Sequence, residues 1–108
     1  MAQPRMTIPT QQVLRLLLSD LSAERYGFEI GDAAGLASGT VHPILARLER
    51  LGWVTSRWED IDPREEGRPA RRYYRLSSEG VELARDALAR SYRPRRLPSR
   101  GMPAPEEA

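Results

Sequence analysis

Residues 38–52, SGTVHPILARLERLG, place the tightest constraint on the fold. Val41, Ile44, Leu45, Leu48 and Leu51 recur at helical spacing and give one apolar face, while Thr40, Arg47 and Arg50 point elsewhere. Gly52 suits the position just past a helix end. Yet Pro43 stands in the second turn, with the only histidine of the chain, His42, directly before it. Proline inside a helix removes a backbone hydrogen bond and crowds the preceding turn, so it is tolerated only near the start. With Ser38 as the cap, Pro43 is the fifth helical position and the lost bond is the one to Gly39. With Thr40 as the cap it is the third position, where the N–H would be unpaired anyway. Either way the cost falls on the first turns of this helix and spares its core-facing half.

The segment before it completes a motif. Ile30, Ala33, Ala34 and Ala37 fall at helical spacing in a second helix over roughly Tyr26–Ala34, weakened by Gly27 and Gly31. Gly35 is a stop, and Gly35–Leu36–Ala37 makes a short turn into the Pro43 helix. Two helices joined by a three-residue turn containing glycine form a helix-turn-helix. Upstream, Thr10 can cap a first helix whose stripe is Val13, Leu14, Leu17, Leu18 and Leu21.

Downstream the period changes. Trp53–Ile61 reads as extended, and DPREEGRPA follows with two prolines, a glycine and five charges. RRYYRL, residues 71–76, then alternates, with Arg71, Tyr73 and Arg75 on one face and Arg72, Tyr74 and Leu76 on the other. Two strands around a charged tip make a hairpin, with one tyrosine packing inward. Ser77 or Ser78 caps a last helix reaching about Tyr92, with Val81, Ala84 and Leu88 on one strip and Leu83 and Ala87 on another. Helix, helix, turn, helix, hairpin, helix is the order of a winged helix-turn-helix: an α+β, mostly α fold with three helices, a two-stranded wing and a C-terminal helix. Residues 1–9 are expected to be a flexible leader, 10–92 the winged-helix domain, and 93–108 a disordered Arg/Pro tail.

Composition narrows the chemistry. The chain has 108 residues and no cysteine, which excludes disulfides and thiolate metal sites. No apolar run approaches the roughly 20 residues that span a bilayer, and no signal-peptide core opens the chain, so a cytoplasmic protein is expected. All 17 basic residues are arginine. Residues 1–92 carry 13 Arg against 13 acidic residues, and the tail supplies the net charge of +2. Bulk charge therefore does not select a partner; placement does. With one histidine, no cysteine nucleophile and no phosphate-binding glycine loop, an enzyme is not expected, nor is any cofactor or metal.

The pieces YGFEI (26–30), GTVHPILARLERLGWV (39–54) and RRYYRLSSEG (71–80) resemble the PadR family of bacterial transcriptional regulators. The resemblance spans about Val13 to Leu88 and is to the short members, with one helix after the wing. It implies a DNA-binding winged helix and a homodimer formed largely through the C-terminal helix. It also implies a repressor whose grip on DNA is relaxed by a small apolar or aromatic effector. By the same resemblance Trp58 is a candidate to face a dimer pocket for such a ligand, as aromatic side chains do in some relatives, whereas Trp53 reads as core. Two positions differ from the common family pattern, which often has tyrosine where this chain has Phe28 and His42.

In a helix-turn-helix the second helix enters the major groove, its N-terminal residues nearest the bases. The expected DNA contacts are thus Ser38, Gly39, Thr40, His42 and Pro43, with Gly39 letting backbone approach a phosphate at a helix start that attracts anions. Arg47 belongs to the resemblance, as a phosphate contact or as an ion-pair partner of Glu49 or the wing. His42 is either an exposed helix residue or a phosphate or base contact. Arg68, Arg71 and Arg72, in an eight-residue stretch free of acids, are the wing contacts to phosphate or minor groove; a solvated hairpin with local ion pairs is the plainer alternative. Leu83, Ala87 and Leu88 are the expected dimerisation residues. Arg93–Arg96 either tracks the DNA backbone or solubilises the tail. The competing reading of the whole chain is a winged-helix module that binds protein and not specific DNA.

Overall fold

The computed structural model describes residues 3–92. The expectations for Met1, Ala2 and the 93–108 tail, Arg93–Arg96 included, lie outside them. The elements are α1 (Ile8–Ser19), β1 (Arg25–Tyr26), α2 (Gly27–Ala34), α3 (Ser38–Arg50), β2 (Val54–Trp58), the single-turn α4 (Pro63–Glu66), β3 (Arg72–Leu76) and α5 (Ser78–Ser91). The strands form an antiparallel sheet in the order β1-β3-β2. The wing is therefore not the whole sheet: Arg25 pairs with Tyr74 and Tyr26 with Tyr73, adding a third, two-residue strand.

The first helix begins earlier than expected. Thr7, not Thr10, is the cap; its hydroxyl accepts the Thr10 backbone N–H at 3.3 Å, and Pro9 sits in the first turn, where its missing N–H costs nothing. Val13, Leu14 and Leu17 are buried as the stripe requires, but the helix stops at Ser19, which leaves Leu21 outside it and 42% exposed. In α3 the buried residues are Val41, Leu45 and Leu48. Neither Ser38 nor Thr40 caps it: Ala37 does, through its carbonyl to the Thr40 and Val41 N–H groups. Pro43 is thus the sixth helical position, and its missing bond is still the one to Gly39.

The hairpin pairs Val54 with Leu76 through to Trp58 with Arg72. Alternation puts Tyr74 inward, and Trp53 is 2% exposed in the core. Asp62 caps the short α4 at the tip.

The last helix docks by its small residues. Ser77 caps it, accepting the Gly80 N–H at 2.9 Å while its hydroxyl donates to the Gly52 carbonyl at 2.7 Å. The face against the domain is Gly80, Ala84 and Ala87. Ala87, expected on a partner-facing strip, is 2% exposed within its own chain and is not available to a second copy. Leu83 and Leu88 are half-buried at its flanks. The reason for small residues is the approach at Gly80, where any Cβ would run into the Trp53 carbonyl oxygen and the Trp53 Cα behind it. Gly80→Ala should therefore push α5 off its seat and cost about 2–3 kcal/mol, read as a lower urea midpoint with an unchanged slope.

Candidate nucleic-acid interface

The exposed side of α3 is built from residues that a core would not use. Ser38, Gly39, Thr40, His42, Pro43 and Arg47 are all exposed, on a helix whose other side carries fully buried Val41, Leu45 and Leu48. No acidic residue occupies its first turn. A side chain added at Gly39 would meet open space, so the backbone here is accessible from solvent. His42 has a defined neighbour. Its imidazole lies over Gly27, the first residue of α2, where an added Cβ would come within 2.5 Å of the ring carbon Cε1. The glycine that weakens α2 thus lets α3 pack beside its start. Phe28, the next residue, is 68% exposed and shares a cleft of about 190 Å³ with Gly31, Asp32, Leu36, Ala37 and Ser38.

The wing arginines divide. Arg71 is in none of the ion pairs among the described residues; its guanidinium carbon sits 4.3 Å from the centre of the Tyr26 ring, which meets Tyr73 edge-on. Arg68 is committed to a carboxylate, donating from both terminal nitrogens to Glu59 at 2.7 and 2.9 Å. Arg72 donates to Ser56 at 3.0 Å and to Glu49 at 3.2 and 3.3 Å. Arg68 and Arg72 stand in a stretch free of acids in sequence, but each is held by a carboxylate in space. Arg57, unremarkable in the sequence, grips Glu24 with three hydrogen bonds of 2.6 to 3.0 Å, tying β2 to the loop before β1. Arg47 and Arg50 appear in none of the ion pairs among the described residues. Trp58 is 61% exposed at the end of β2, with the Arg72 guanidinium over its ring.

The sequence offers Glu49 as a partner for Arg47, whereas the structure pairs it with Arg72; Ser56, Glu59 and Glu24 were not foreseen. Their partners lie 7 to 33 residues away in the chain. Only the hairpin register, which places Trp58 opposite Arg72, brings Glu59 and Arg71 level.

The Transcriptional regulator PadR-like family matches residues 13–86, from the buried stripe of α1 through most of α5. The chain belongs to this family. Solved structures share the fold. The MepR–DNA complex of S. aureus aligns with a TM-score of 0.61 at 20% identity, covering 77% of this chain and 62% of MepR. The PcaV transcriptional regulator of Streptomyces coelicolor, in complex with its natural ligand, gives 0.62 at 26% identity over 83% of this chain and 60% of its own. A PadR family transcriptional regulator from Eggerthella lenta gives 0.59 at 26% identity, covering 78% and 75%. This PadR-like chain thus spans less than two thirds of the length of MepR and PcaV. No curated protein matches it. The family is one of transcriptional regulators and not of enzymes. Among the described residues no helix is long and apolar enough to cross a membrane, and no group of three or more acidic or histidine side chains is arranged to hold a metal.

One carboxylate in the wing gives a pH signature. Hydrogen bonds from Arg68, supported by the Arg71 backbone N–H, hold Glu59 down to about 2 from an ordinary 4.5. A carboxylate with a lower folded than unfolded pKa adds stability that is complete above the unfolded value and is lost as pH falls through the folded one. Between about pH 5 and pH 2, the wild type should therefore lose more stability than Glu59→Gln. Denaturant midpoints of the two proteins should converge on acidification; parallel curves would show that Arg68 does not bind Glu59 in solution.

Proposed function

We propose that this PadR-like protein is a sequence-specific double-stranded DNA-binding regulator, acting as a homodimeric repressor on a pseudo-palindromic operator. The observation that carries the reading is the outer face of α3, where Ser38, Gly39, Thr40, His42 and Pro43 at the start and Arg47 in the last turn stand exposed opposite a fully buried stripe. In this arrangement α3 lies in the major groove. The helix start and the open backbone at Gly39 receive a phosphate, while Thr40 and His42 face base edges. Pro43 carries no N–H to leave unpaired there, and Arg47 reaches the phosphates along the groove. On the wing, Arg71 presents a guanidinium to the flanking backbone; Arg68 and Arg72 act with their carboxylate partners in place.

The dimer forms through the flanks of α5, where Leu83 and Leu88 are only half-buried by their own domain. A two-fold pair of such domains sets half-sites about one helical turn apart. A small apolar or aromatic effector relieves repression. Its support is the likeness to regulators such as PcaV, which is solved with its natural ligand.

Two substitutions test the reading. On the duplex that the protein selects from random sequence, Arg47→Ala should weaken binding and lower the slope of log affinity against log salt by about one unit, the signature of one lost phosphate contact. An unchanged slope removes Arg47 from the interface. Leu83→Glu should sediment as a folded monomer and bind the operator at least about tenfold more weakly, because each half-site then binds alone. Sedimentation at the wild-type rate would refute the α5 dimer.

A further inference from the structure

The wing is joined to α3 by only Leu51, Gly52 and Trp53. At its base Val54 and Leu76 are fixed in the core, but its outer half is solvated, with Trp58 61% exposed. Something must set the angle of that outer half against the recognition helix. Three side chains do so. Ser56 on β2 donates from its hydroxyl to Glu49 on α3. Arg72 on β3 donates from Nε to Ser56 at 3.0 Å and from Nη2 to both Glu49 oxygens at 3.2 and 3.3 Å. The contacts close a ring that ties both strands of the hairpin to one helix residue. The faces of the guanidinium are occupied as well, its carbon lying 5.5 Å from the Trp58 ring centre and 6.0 Å from that of Tyr74.

We propose that Glu49 and Arg72 form a strut that fixes the wing relative to α3, making Arg72 a positioning residue for DNA binding and not a phosphate ligand. The inference rests on the DNA-binding reading above. Both side chains remain partly exposed, at 32% and 41%, and such pairs add little to global stability. The strut therefore acts on geometry. Helix and wing must meet the duplex together, so a wing that pivots at its base has to be ordered at binding, and affinity falls by that ordering cost.

The two roles for Arg72 predict opposite signs at Glu49. As a strut partner, Glu49 is needed: Glu49→Ala and Arg72→Gln should each bind the selected duplex about tenfold more weakly, and the double variant no more weakly than either. The salt slope should stay at its wild-type value in all three, measured where circular dichroism shows each protein folded. If Arg72 instead grips phosphate, Glu49→Ala unmasks a cation and binds more tightly, while Arg72→Gln lowers the slope by about one unit; either result overturns the proposal. A second readout needs no DNA. Hydrogen exchange at the backbone amides of Arg57 and Glu59, which face β3 in the ladder, should quicken in both single variants, and unchanged exchange there overturns the strut. Should the wild type select no duplex at all, the DNA-binding reading falls, and the exchange measurement still decides whether the strut exists.

Discussion

The backbone of Trp53 is the joint on which this structure depends. Its N–H donates to the Leu48 carbonyl at 2.9 Å, closing the end of α3, and its carbonyl accepts the Ser77 N–H at 2.9 Å from the end of the sheet. Gly80 then sits directly against that carbonyl, which seats α5. One residue thus orders α3, the hairpin and the C-terminal helix, and its ring fills the core between them. Leu14, Ile30, Leu45 and Leu48, the largest fully buried side chains, add apolar stabilisation around it. Because this joint is rigid, the exposed half of α3 can be given over to residues with poor helix and packing character, including a glycine and a proline.

Charge is arranged by the same logic. The described domain is nearly neutral in sequence, and its acids are not scattered: Glu24, Glu49 and Glu59 each hold an arginine of the sheet region. The start of α3 has no acid in its first turn, and Arg47 and Arg50 are left outside these pairs. A neutral protein can thereby present a local positive surface. The overall charge balance therefore does not select a partner, and the placement of charge on α3 and the wing carries the DNA-binding reading.

Much of the fold was legible because its strongest signals are local. The apolar period of α3, the stop at Gly52 and the inward turn of one wing tyrosine follow from spacing alone; the structure has each of them and identifies the tyrosine as Tyr74. The exposed face of α3 was legible for the same reason: from Ser38 to Arg47 the polar and small residues fall on one side of the period. What was not legible depends on pieces meeting across the chain. The strand at Arg25–Tyr26 is two residues long and exists only through its pairing with β3. Hydrophobic size misassigned Ala87, because the close approach at Gly80 selects small residues for the buried face. The pairing of Arg68 and Arg72 needs the hairpin register, which a nine-residue charged tip conceals.

The central claim is that the exposed start of α3 and the braced wing read a two-fold DNA site. The most direct measurement is selection of duplexes from a random pool by the purified protein, followed by titration of the winner and a random duplex over a range of salt. The account predicts an inverted repeat with half-sites about one helical turn apart, bound roughly 10³-fold or more tighter than the random duplex at physiological salt. No enriched motif, with equal weak binding that salt erases, would contradict it and leave a winged-helix domain whose partner is a protein.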